Sequence, residues 1–157
     1  MAQHKTEAAV SIDLGLTNGM IQGTKVLTLD GDIPVDFLEI GDRILTRSGC
    51  RELKSIEVSV VKNARMVRIG ASTLGQERPE EDILVPANQK ILVRDWRAIA
   101  FAGTKQAMIS AIRLTDGEFI RGEMVDSARI YTLGFEDEVV IYAGGLELAC
   151  NAVTVSV

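Results

Sequence analysis

Residues 23–47 read Gly-Thr-Lys-Val-Leu-Thr-Leu-Asp-Gly-Asp-Ile-Pro-Val-Asp-Phe-Leu-Glu-Ile-Gly-Asp-Arg-Ile-Leu-Thr-Arg. Lys25-Val26-Leu27-Thr28-Leu29 has the length and the β-branched content of a strand. Asp30-Gly31-Asp32 follows it as a turn signal. Arg43-Ile44-Leu45-Thr46 is a second strand, closed by the turn Arg47-Ser48-Gly49. Between them, 34–40 fits a short helical turn.

The same grammar continues outward. Ser55-Ile56-Glu57-Val58-Ser59-Val60-Val61 alternates as a half-buried strand would. Further strands are expected at 66–69, 82–85, 90–93, 118–120, 129–133 and 139–142. Glycines at 31, 41, 49, 70, 75, 117 and 144–145 punctuate the chain at strand-length intervals. The pattern predicts an all-β domain with tight turns. A second short helical turn is expected within 105–114, and 74–81 reads as a solvated loop. Ala9 to Leu14 alternates and suits an extra strand, while the residues before it read as a tail. The expected organisation is a tail or extra strand at 1–18 and one domain at 19–157.

Composition narrows the function. The chain has 157 residues, 46% hydrophobic and 25% charged, as one ordinary globular domain would. Its net charge is −5, which argues against nucleic acid as a partner. No run approaches the roughly 18 apolar residues of a membrane span, so no membrane partner is expected. The N-terminus lacks the apolar core of a secretory signal. The expectation is therefore cytoplasmic by default, with non-classical export left open. Two cysteines, Cys50 and Cys150, are expected as reduced thiols and not as a disulfide.

Residues 23–47 resemble the opening block of Hint domains, the fold of hedgehog and intein autoprocessing domains. The resemblance rests on Gly23-Thr24, Gly31, Val35, Leu38 and Gly41-Asp42, followed by Ile44-Leu45. Asp82 to Val93 resembles the second block, Trp96 to Gly117 the segment after it, and Ala128 to Leu146 the closing hairpin of the bacterial branch. The resemblance covers about residues 19–147. It implies an all-β, disc- or horseshoe-shaped Hint fold with long curved strands and approximate two-fold symmetry.

It also implies chemistry that these residues do not supply. Autoprocessing begins when a Cys or Ser attacks the carbonyl just before it, converting a peptide bond to a thioester or ester. The family's nucleophile stands four residues before the glycine of the Gly-Thr pair, and here that residue is Gly19. The family's proton-handling histidine is replaced by Gln89, and the Thr three residues earlier by Pro86. Glutamine donates a hydrogen bond but does not shuttle a proton near neutrality. The histidine of the closing hairpin is replaced by Asp137. The chain's one histidine, His4, lies in the tail, so one chain builds no His-based triad or multi-His metal site. No cofactor and no metal is expected.

Other groupings read as structure. Asp30, Asp32 and Asp36 lack the EF-hand spacing and its closing glutamate. Cys150-Asn151 reverses the intein ending and lacks its histidine, so Cys150 reads as a small apolar residue at a strand end.

The leading expectation is a Hint domain inactive in autoprocessing, acting as a binding or structural module for an unknown protein partner. A second is an enzyme, or residual autoprocessing, reusing the cleft. Its candidate lining is Gly19, Thr24, Asp42, Gln89 and Asp137, with Cys50 in reach and Thr24 facing Gln89. A third is an oligomeric or secretion-associated module, with the C-terminal Ala152 to Val157 pairing at a sheet edge in cis or as a homo-oligomer.

Overall fold

The computed structural model describes residues 5–7, 11–12 and 18–153. Its strands in chain order are β1 (Lys5–Glu7), β2 (Ser11–Ile12), β3 (Met20–Ile21), β4 (Lys25–Thr28), β5 (Gly31–Pro34), β6 (Arg43–Thr46) and β7 (Gly49–Glu52). They continue as β8 (Ser55–Ile69), β9 (Ile83–Pro86), β10 (Lys90–Val93), β11 (Ala107–Ser110), β12 (Ile120–Gly134), β13 (Val139–Ala143) and β14 (Leu146–Cys150). One helix, α1 (Trp96–Ala102), and 3-10 turns at Val35–Phe37 and Ala111–Leu114 complete the set among the described residues. His4 and residues 154–157 lie outside the described residues.

Two sheets result. In the first, β8 and β12 pair antiparallel from Ser55↔Gly134 to Ile69↔Ile120, with β3 on the far edge of β12 and β1, β2 and β9 along β8. In the second, the order is β11-β10-β14-β13-β4-β6-β7, with β5 on β4. The main core, which includes Val26, Ile44, Leu53, Ile91, Phe135, Ile141 and Leu148, draws on both sheets. A smaller cluster of Val61, Ala64, Met66, Ala128 and Ile130 sits on the β8–β12 ribbon.

The opening block folds through one repeated device. Thr28-Leu29-Asp30-Gly31 and Thr46-Arg47-Ser48-Gly49 each close a hairpin with a two-residue loop. In each, the threonine Oγ1 donates to the carbonyl of the glycine, at 2.8 and 2.6 Å. The same Oγ1 accepts the backbone N–H of Asp30 or Ser48. The hydroxyl thus satisfies loop groups that the ladder leaves unpaired.

The structure corrects several element boundaries. The expected strands at 55–61 and 66–69 are one strand, β8, while 129–133 lies within β12, which of 118–120 takes in only Ile120. Their polar middles interrupt the apolar pattern because stretches of the ribbon such as Lys62, Asn63, Asp126 and Ser127 are exposed. The short helical turn expected within 105–114 is the 3-10 turn at Ala111–Leu114, and Ala107–Ser110 ahead of it is strand β11, paired along β10. Helix α1 was not legible from apolar spacing, yet Asp95 caps its start and Gly103, at φ 72°, ends it. Cys50 and Cys150 are both free thiols, as expected. Val153 N–H donates to the Phe135 carbonyl, so the described end of the C-terminal segment pairs within the chain.

Candidate functional site

Gly19 stands at the entrance to β3, the strand that borders β12. Its φ of +123° is open to glycine and strained for other residues. A Cβ built there would lie 2.6 Å from the Tyr131 carbonyl oxygen, 2.9 Å from Thr132 Oγ1 and 3.0 Å from Ile130 Cγ2. The backbone is therefore packed against β12 at a distance only glycine allows.

The peptide bond between Asn18 and Gly19 is held at both ends. Thr132 Oγ1 donates to the Asn18 carbonyl at 3.1 Å. Gly19 N–H donates to Gln89 Oε1 at 2.9 Å. Gln89 is itself fixed: its Nε2 donates to the Lys90 and Ala149 carbonyls, each at 2.9 Å. Both amide protons are engaged, so Oε1 is the only part of the side chain that faces Gly19. The Gln89 backbone is anchored as well, its N–H to the Pro86 carbonyl and its carbonyl to the Ala111 N–H. One buried glutamine thus ties together β3, β10 and β14, elements of both sheets.

The cavity at this point measures about 10 Å³, bordered by Asn18, Gly19, Gln89, Thr132 and Cys150 among others. That admits about one water at most. Burial pushes the Cys150 thiol up to about 12, so it is a neutral thiol at physiological pH and a poor nucleophile. Among the described residues, no histidine, lysine or carboxylate borders the cavity. The arrangement holds an amide by its oxygen and its N–H.

The other expected residues lie elsewhere. Thr24 does not face Gln89: it lines a separate, open cleft of about 350 Å³ with Lys25, Asp32, Glu80, Asp82 and Gly144, among others. Its hydroxyl is turned to the Ile21 carbonyl at 2.8 Å, closing the turn that leads into β4. Asp42 caps a turn, accepting the Glu39 N–H at 2.9 Å. Asp137 is exposed in the loop before β13, and Cys50 sits on β7 opposite Leu45. Of the sequence candidates, Gly19 and Gln89 come together; Thr24, Asp42, Asp137 and Cys50 border neither of them in the small cavity. Thr132 was missed, because a threonine inside a long strand carries no local signal of its partner across the sheet.

The family described as Hint domain matches residues 19–150. The chain belongs to the Hint-domain family. No curated protein matches the sequence. Among solved structures, this Hint domain is similar to the bacterial intein-like domain from Clostridium thermocellum, with a TM-score of 0.60 at 16% identity, covering 86% of this chain and 99% of that one. It is similar to the TvoVMA intein, with a TM-score of 0.61 at 13% identity over 86% and 98% of the two chains. The gp41-1 intein matches with a TM-score of 0.56 at 14% identity over 86% and 99%. At such identities the likeness is one of fold, and it is the all-β Hint fold that the sequence motifs imply.

Among the described residues no helix is long and apolar enough to cross a membrane. No group of three or more His, Cys, Asp or Glu residues among them is arranged to hold a metal ion.

Proposed function

We propose that this Hint domain does not perform autoprocessing and serves as a binding or structural module. The observation that carries the reading is the contact of Gly19 N–H with Gln89 Oε1. The position that must hold a nucleophile is a glycine whose missing Cβ is filled by Tyr131 and Thr132. The position that must handle a proton presents an acceptor with no proton to give, since both Nε2 protons are bound to carbonyls. Cys150, the one thiol on the cavity, is uncharged. A cavity of about 10 Å³ also leaves no room for a substrate, which weighs against an enzyme reusing this spot. A binding role has space in the open cleft beside Gly23-Thr24.

The test is a fusion with a reporter ahead of residue 1, incubated with and without dithiothreitol and followed on a gel. The expected result is an intact fusion in both conditions. Thiol-dependent release of the reporter with its new end at residue 18 would refute the proposal.

A further inference from the structure

Asn18-Gly19 is the only Asn-Gly pair in the sequence. Such pairs have a reactivity of their own. The glycine nitrogen attacks the asparagine carboxamide carbon, so that an N–Cγ bond forms and the Cγ–Nδ2 bond breaks. Ammonia leaves, taking up the proton that the glycine nitrogen loses, and a five-membered succinimide remains. Water then opens the ring to aspartate or isoaspartate. Glycine makes the attack easy because no side chain blocks its nitrogen.

The fold stands in the way of each requirement. The attacking nitrogen must lose its proton, yet Gly19 N–H is committed to Gln89 Oε1 at 2.9 Å. A deprotonated nitrogen would face an oxygen lone pair that cannot turn away, because Gln89 Nε2 is anchored to two carbonyls. Gly19 is buried and the adjoining cavity admits about one water, so hydroxide or buffer base has little access. Ring closure also draws the Gly19 nitrogen onto Asn18 Cγ, and any turning of the 18–19 peptide plane that this takes works against the Thr132 Oγ1 contact with the Asn18 carbonyl and the Gln89 contact.

We propose that Asn18-Gly19 is a latent deamidation site, gated by the clamp of Gln89 and Thr132. While the clamp is closed the pair is inert; when it opens, Asn18 cyclises. The product differs from the clamped chain: aspartate adds a negative charge at a residue that borders the small cavity, and isoaspartate adds a main-chain methylene between the residue-18 Cα and the clamped amide. The modification therefore records, irreversibly, that the segment ahead of β3 has left its seat. The inference rests on the clamp geometry and not on the absence of autoprocessing. The two fail separately: autoprocessing removes residues 1–18, whereas deamidation leaves the chain whole and about one dalton heavier.

The experiment is peptide mapping by mass spectrometry, with isoaspartate detection, of the full chain held in mildly alkaline buffer. The native protein is compared with the same chain in denaturant and with the variants Gln89→Leu and Thr132→Val. Circular dichroism checks that each variant is folded. Native Asn18 should deamidate at least about tenfold more slowly than in the unfolded chain, and the folded variants should close much of that gap. Should Gln89→Leu fail to fold, Thr132→Val decides, since it removes one hydroxyl at constant shape. Equal rates in native and unfolded chains would overturn the proposal. So would folded variants that deamidate no faster than the native protein.

Discussion

Gly19 N–H and Gln89 Oε1 meet at 2.9 Å across 70 residues of sequence. On the proposed reading, the contact joins the two positions that the sequence motifs set against the family's nucleophile and histidine. It satisfies a buried backbone donor that glycine's close approach to β12 would otherwise strand.

Gly19 itself is the first point to test. Gly19→Ala or Gly19→Cys places a Cβ at 2.6 Å from the Tyr131 carbonyl at a φ of +123°. The expected cost is about 2–3 kcal/mol, combining the strained φ with overpacking against backbone. Denaturant unfolding of the variants measures it. Restoring a cysteine here should therefore destabilise the fold without restoring cleavage, alone or together with Gln89→His.

Replacing Gln89 by leucine keeps bulk and removes three hydrogen bonds, to Gly19, Lys90 and Ala149. About 2 kcal/mol of stability should be lost, since the buried Gly19 N–H is left without a partner and two part-buried carbonyls each lose one. Amide exchange of Gly19 should quicken well beyond that of the β8–β12 ladder.

Cys150 should be silent to thiol reagents in the native protein and labelled only on unfolding, while the half-buried Cys50 reacts first. The pH dependence follows in sign. Its folded pKa is raised, from 9.0 to about 12, so the stabilisation is complete below about pH 9 and is lost as pH rises toward about 12. Cys150→Ala should flatten the alkaline limb of a stability–pH curve.

Asp116 acts at the opposite end of the scale. Its Oδ1 accepts the N–H groups of Glu118, Phe119 and Ile120, and these bonds, Ile120's foremost, hold its carboxyl below the usual aspartate range. A depressed folded pKa contributes stability that is present above about pH 4 and lost as pH falls through the folded value. Asp116→Ala should cost about 1 kcal/mol near neutrality and less in acid.

Glu147 is buried and shared by Arg47, Arg78 and Arg94, which arrive from the β6–β7 hairpin, the 70–82 loop and the end of β10. Glu147→Ala should cost roughly 2–3 kcal/mol, below the usual value for a broken buried pair because the arginines can turn to solvent. Arg47→Ala, at the exposed edge, should cost less than about 1 kcal/mol. Thermal unfolding separates the two.

What the sequence made legible was local. The Thr-x-x-Gly turns, the Gly144-Gly145 hairpin between β13 and β14, and the apolar runs all report their own conformation. Gly19 and Gln89 were singled out by their spacing within family motifs, and the fold brings the two into contact. Long strands were hidden where an exposed face tolerates Lys62, Asn63 and Asp126. Thr132 and the true surroundings of Thr24 were hidden for a different reason: each is defined by a partner brought in from a distant part of the chain or by which side of β3 a turn places it. Glu147 belongs with them, since three arginines far apart in sequence make its burial tolerable.

On this account the site grips the Asn18–Gly19 bond without breaking it. Intact-mass spectrometry of the purified chain carrying an N-terminal extension, incubated with a high concentration of 2-mercaptoethanesulfonate to capture any ester or thioester by thiol exchange, tests that directly. The account predicts a single full-length species throughout. A species beginning at Gly19, matched by a thioester of the added thiol ending at Asn18, would contradict it.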